Sequence, residues 1–122
     1  MVLVDTSVWI NHLHHSNHVL VDALGRSLVA QHPMVIGELA LGSLSNREEF
    51  LQLLADLPPT PVASHDEVLH FVNQNHLDGR GLSLIDAHLL ASTTLSPGAL
   101  IWTEDRRLST VADQLGIAYK QD

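Results

Sequence analysis

The chain has 122 residues, 45% of them hydrophobic and 16% charged, a folded rather than a disordered composition that suits one domain over residues 1–122. It has no cysteine, which excludes disulfide frameworks and thiolate chemistry and leaves oxygen or imidazole as metal donors. Its formal charge of −8 runs against simple electrostatic binding of nucleic acid, and no apolar run approaches the length of a membrane span, so a cytoplasmic protein is expected.

Val2-Leu3-Val4 reads as a strand ending at Asp5, and Thr6-Ser7 then introduces the amphipathic stretch Val8 to Leu13 as a helix. Val19, Leu20, Ala23, Leu24, Ser27 and Leu28 repeat at helical spacing and predict a helix over 19–28. His32-Pro33 opens a third helix with proline in its first turn, carrying Glu38 among apolar neighbours to a stop at Gly42. A fourth begins in Ser45 to Glu49, runs through Phe50 to Leu57 and ends at Pro58-Pro59, after which Pro61-Val62-Ala63 is a short strand or an extended link. From Ser64 a helix marked by Val68, Leu69, Phe71 and Val72 extends to Asp78-Gly79, and Ser83 opens another that runs through Asp86 to Ser96-Pro97-Gly98. Ala99 to Trp102 is a strand, Arg106 to Leu115 a helix, and Ile117-Ala118-Tyr119 a last strand. Strands alternating with helices imply an α/β fold of three layers, with a short, largely parallel central sheet flanked by helices.

Asp5 falls at the carboxyl end of the first strand and Asp105 just past the strand Ala99 to Trp102, where open parallel sheets bind ligands. Asp86 and Glu38 sit in largely apolar helices, where an uncompensated carboxylate is unfavourable. Clustered carboxylates repel one another, and a hard cation, Mg²⁺ or Mn²⁺, would compensate them and support hydrolysis of a phosphodiester. Each acid also has a structural explanation: Ser83-x-x-Asp86 matches a capping box, and Asp5 and Asp105 stand where the following helices need N-caps. Thr103 and Ser7 offer hydroxyls that orient carboxylates or water. Arg80, Arg106 and Arg107 are three of only six basic residues, and all flank the acidic segments as phosphate contacts would. His12, His14, His15 and His18 read as a solvated helix end, and Trp9 and Trp102 as core or interface.

Four segments together resemble the PIN-domain ribonucleases, and among them the VapC toxins of prokaryotic toxin–antitoxin pairs. Val4-Asp5-Thr6-Ser7-Val8-Trp9-Ile10 is similar to the family's opening motif, and His32 to Gly42 to its glutamate motif. Ile85-Asp86-Ala87-His88-Leu89-Leu90-Ala91 and Leu100 to Leu108 resemble the third and fourth. The resemblance implies an acidic quartet of Asp5, Glu38, Asp86 and Asp105 with Thr103 beside it, and Mg²⁺- or Mn²⁺-dependent RNA cleavage. It further implies a homodimer, a cognate VapB-like antitoxin, and structured RNA such as transfer or ribosomal RNA as substrate. Glu104 is an extra acid beside Asp105 to which the resemblance assigns no role.

Two other readings stay open at this point. One is a phosphotransferase or phosphatase with Asp5 as nucleophile, although Ser7 stands where a second aspartate would be expected. The other is a non-enzymatic acidic module that holds a metal or a basic peptide.

Overall fold

The buried run Val2–Val4 forms strand β1, the middle strand of a three-stranded parallel sheet ordered β2-β1-β3, with β2 at Val29–Ala30 and β3 at Leu100–Trp102. The structure is a computed structural model and describes residues 1–121. Val2 pairs with Val29 on one side and Leu100 on the other, and Val4 with Trp102. A strand covered on both faces needs apolar residues at consecutive positions, so β1 shows no alternation. Single parallel bridges extend the two edges, Gln31 to Pro59 and Ile101 to Ala118.

Among the described residues seven helices fill the connections: α1 Thr6–His14, α2 His18–Gly25, α3 Pro33–Ala40, α4 Arg47–Ala55, α5 His65–Gln74, α6 Leu84–Leu95 and α7 Arg106–Gln114. The path leaves β1 outward through β2 to the Pro59 bridge, then crosses back over the sheet to β3 and the Ala118 bridge. Right-handed crossovers in opposite directions put α1 to α4 on one face and α5 to α7 on the other, which is the expected three-layer α/β arrangement. α1 pairs with α3, α3 with α4 and α5 with α6, and α3 also meets α6, where His32 Nε2 faces Ser92 Oγ. The core runs through the sheet and includes Leu3, Val4, Val8, Trp9, Leu20, Leu89, Leu90, Ile101 and Leu108, each large side chain contributing about 1.5–3 kcal/mol of burial. Both tryptophans are core residues.

Three boundaries differ from the sequence reading, each for a local reason, and at Pro61-Val62-Ala63 the link is the alternative that holds. The helix expected over 19–28 stops at Gly25, because Ser27 turns left-handed at φ 58° and Val29–Ala30 joins the sheet as β2. The helix expected to reach Asp78-Gly79 ends at Gln74, where His76 adopts φ 53° and Leu77 N–H returns to Val72 O at 3.0 Å. Pro61-Val62-Ala63 is link rather than strand, the edge bridge falling at Pro59. Ile117-Ala118-Tyr119 does lie beside β3, donating Tyr119 N–H to Ile101 O at 2.8 Å, but as a single bridge.

Candidate active site

β1 is where the winding direction reverses, and the crevice beyond its carboxyl end is the ligand position of doubly wound sheets. Asp5 stands there, 5% exposed, its N–H bonded to Trp102 O at 2.9 Å. It occupies the N-cap position of α1, yet its side chain makes no cap hydrogen bond. Instead Oδ2 accepts two hydroxyls, Thr103 Oγ1 at 2.7 Å and Ser7 Oγ at 2.9 Å, while Oδ1 carries no hydrogen bond among the described residues. Those hydroxyls in turn accept the N–H groups of Asp105 and Glu104, each at 3.0 Å. The two hydroxyls also lie 3.3 Å from each other, so the carboxylate of the first motif is tied through a shared network to the backbone of the fourth.

Asp105 N-caps α7, its Oδ1 accepting Leu108 N–H at 3.0 Å, and remains exposed. Asp86 closes a capping box at the start of α6, accepting Ser83 N–H at 3.0 Å while its own N–H donates to Ser83 Oγ. The structural explanations for these two acids are therefore realised, but they do not exhaust them. Burial raises the pKa of Asp86 above the ordinary carboxylate value; the hydrogen bonds from Ser83 pull it back, and the charges of Asp5 and Asp105 push it further up. Three acids from distant parts of the chain thus feel one another. Glu38, half-buried on α3, joins the group through Thr6, whose hydroxyl donates to Oε1 at 2.7 Å. The sequence reading did not single out Thr6, although a hydroxyl directly after Asp5 was a visible signal.

His32, read from the sequence as the entry to α3, is its N-cap, and its side chain does more than the sequence suggested. Met34 N–H donates to its Nδ1 at 3.0 Å, so the neutral ring carries its proton on Nε2, 3.0 Å from Ser92 Oγ. This buried histidine sets the start of the helix that carries Glu38.

The cations sit as follows. Arg26 pairs with Asp22 at 3.8 Å and Lys120 with Asp113 at 3.3 Å, whereas Arg80, Arg106 and Arg107 have no acidic partner among the described residues. Arg80 donates to the neutral Gln114 at 2.8 Å. Arg107 lies over Gly81, where an added Cβ would stand 2.9 Å from its Cδ and Nη1 and where φ is +77°. Both contacts fasten the segment before Asp86 onto the helix that follows Asp105.

The donor set suits a hard divalent cation, being carboxylate oxygens with one buried member left half-satisfied. Among the described residues no three His, Asp or Glu side chains stand close enough to share one ion. A hard divalent cation that keeps several waters needs only one or two protein carboxylates together with substrate phosphates. Among the described residues the His12 to His18 segment likewise forms no metal cage, and His12 Nδ1 accepts Asn17 N–H at 2.9 Å.

The family description "PIN domain" matches residues 2–114. Ribonuclease VapC32 from two strains of Mycobacterium tuberculosis, CDC 1551 / Oshkosh and ATCC 25618 / H37Rv, is 48% identical over 122 residues, covering 100% of this chain and 98% of the relative in each case.

Proposed function

Because this chain belongs to the PIN-domain family, we propose that it is a metal-dependent endoribonuclease, the toxin of a type II toxin–antitoxin pair, acting as one domain over residues 1–122. The observation that carries the proposal is Asp5, buried at the end of the central strand, free of any capping duty, and close enough to Asp86 for its charge to raise that residue's pKa. Asp5, Glu38, Asp86 and Asp105 would supply the carboxylates for Mg²⁺ or Mn²⁺, one or two of them on an ion that keeps its remaining places for water and substrate phosphate. What the ion supplies when bound is neutralisation of the charge gathering on a phosphodiester and activation of water.

The remaining work belongs to the chain. Thr103 and Ser7 fix Asp5 Oδ2 and leave Oδ1 for the ion. Thr6 restrains Glu38. Asp86, with its raised proton affinity, gains most from a nearby cation. Arg80, Arg106 and Arg107, unneutralised by the protein's own acids, contact substrate phosphates. The reading extends to a homodimer in the cytoplasm, a cognate VapB-like antitoxin, and transfer or ribosomal RNA loops as substrate. The net charge of −8 suits a basic antitoxin segment.

The test is cleavage of total cellular RNA by purified protein with Mg²⁺, with Mn²⁺ and with chelator, beside Asp5→Asn and Asp86→Asn. Discrete fragments that need metal and vanish in both variants are expected. Metal-independent cleavage, or cleavage that survives both substitutions, would refute the assignment.

A further inference from the structure

Next to the acidic group, between the end of α1, the start of α2 and the segment after β3, lies an open polar cleft of about 430 Å³ walled by Asn11, His15, Asn17, His18, Glu104 and Gln121. We propose that this cleft takes one unstacked nucleobase of the RNA, a guanine, and that Glu104 reads it; the proposal rests on the ribonuclease reading above. Glu104 lies between Thr103 and Asp105, and its N–H bonds to the same Ser7 hydroxyl that donates to Asp5. A base in the cleft is therefore attached to a nucleotide within reach of the reacting phosphodiester.

Glu104 is also held in place. Its Oε2 accepts Asn11 Nδ2 at 2.6 Å, linking the loop after β3 to α1. A carboxylate has about four acceptor sites, and this contact uses one. The chemistry of the walls narrows the occupant. A carboxylate repels phosphate, so the cleft is not an anion site, and among the described residues no three His, Asp or Glu groups can hold a metal ion there. What fits is a neutral group offering N–H donors. Among the four RNA bases only guanine presents two adjacent N–H groups, N1 and N2, on one edge, the spacing a carboxylate accepts with two oxygens. His15 and His18 supply flat rings on which an extruded base can stack, and their ring nitrogens make no hydrogen bond among the described residues.

The experiment digests a randomised RNA oligonucleotide in Mn²⁺ with the parent protein, Glu104→Gln and Asn11→Ala, and sequences the products. The readout is the base frequency at each position relative to the cut, a ratio within one digest that is independent of how much active protein survives. The parent should enrich guanine at one fixed position; Glu104→Gln should cut that enrichment by about tenfold, and Asn11→Ala, which releases the carboxylate, by less. Cleavage by the parent without guanine enrichment, or enrichment unchanged in both variants, overturns the subsite and leaves the cleft to a basic peptide. Uniform loss of cleavage across all sequences in Glu104→Gln also overturns it. Absence of any cleavage by the parent overturns the ribonuclease reading as well, so the two failures are distinguishable.

Discussion

Lowering the pH from 7 to 5 is expected to remove about 2 kcal/mol of folding stability through a single side chain, His32. Its ring is fully buried, and both nitrogens are committed in the neutral form, Nδ1 accepting Met34 N–H and Nε2 facing Ser92 Oγ. Burial first and the neighbouring His88 ring second lower its pKa from 6.5 to about 4. Between those values the unfolded chain binds a proton that the folded chain does not, so this contribution is complete above pH 6.5 and is lost as the pH falls toward 4. At about 1.36 kcal/mol per unit the whole shift is worth about 3 kcal/mol, of which about 2 has gone by pH 5. Protonation also places a hydrogen on Nδ1 where Met34 N–H points, which removes the cap of the helix that carries Glu38. Urea midpoints at pH 7, 6 and 5 measure the effect: with a slope of about 1–2 kcal/mol per molar, the midpoint falls by about 1–2 M. Asp86 shifts with the opposite sign, because the folded form holds its proton more tightly. His32→Asn therefore supplies the control, since it keeps an acceptor for Met34 N–H and cannot titrate. A parent midpoint that stays flat over this interval, or a His32→Asn variant that tracks the parent, refutes the argument.

Thr103→Val removes the hydroxyl that joins Asp5 to Asp105 N–H, and should raise the Mn²⁺ concentration needed for half-maximal cleavage by about 10–100-fold, with isothermal titration of Mn²⁺ showing the same weakening. Asp105→Ala should lose about 1 kcal/mol in thermal or chemical unfolding while Asp105→Asn loses little, yet both should lose cleavage, which separates the cap from the charge. Gly81→Ala forces a left-handed backbone and displaces Arg107, so we expect about 1–2 kcal/mol of destabilisation in urea, and a stability equal to the parent's would show that this turn relaxes freely. In an Asp5→Asn background, replacing Arg80, Arg106 or Arg107 by Ala should each lower the salt slope of RNA binding by about 0.7–1 if it contacts a phosphate, measured by fluorescence anisotropy across a salt series.

What could be read from the sequence follows the range over which each signal acts. Asp5 and Asp105 were legible because apolar runs end just before them, and an acid at such an end has one expected location in a parallel sheet. The Ser83–Asp86 capping box was legible because it is a four-residue pattern. β2 was not, since two residues carry no period and Val29 also continues the helical spacing of α2; only the sheet decides. The Pro59 bridge is likewise a product of the neighbouring strand, whereas Ile117-Ala118-Tyr119 was legible as extended chain and pairs with β3 at Ala118 alone. His32 was legible as the helix entry, but its side-chain cap was not, because histidine is a weak N-cap by propensity and its ring is set by Ser92, sixty positions away. The double use of Ser7 and Thr103 as donors to Asp5 and acceptors from successive backbone N–H groups needs both strands in register, which no local pattern states.

The capping contacts of Asp86, third residue in the Ser83 capping box of α6, and of Asp105, the N-cap of α7, bear on how the proposed activity could be lost. An amide oxygen caps a helix about as well as a carboxylate does, and an aspartate codon becomes an asparagine codon by one nucleotide change. If the proposed roles of these acids hold, the chain sits one mutation from inert forms that keep their shape, and such forms would still occupy whatever partner recognises the folded surface. Loss of activity in a lineage need not leave any trace in solubility or abundance, and a survey that scores this gene as intact by its fold would count silent copies as live ones.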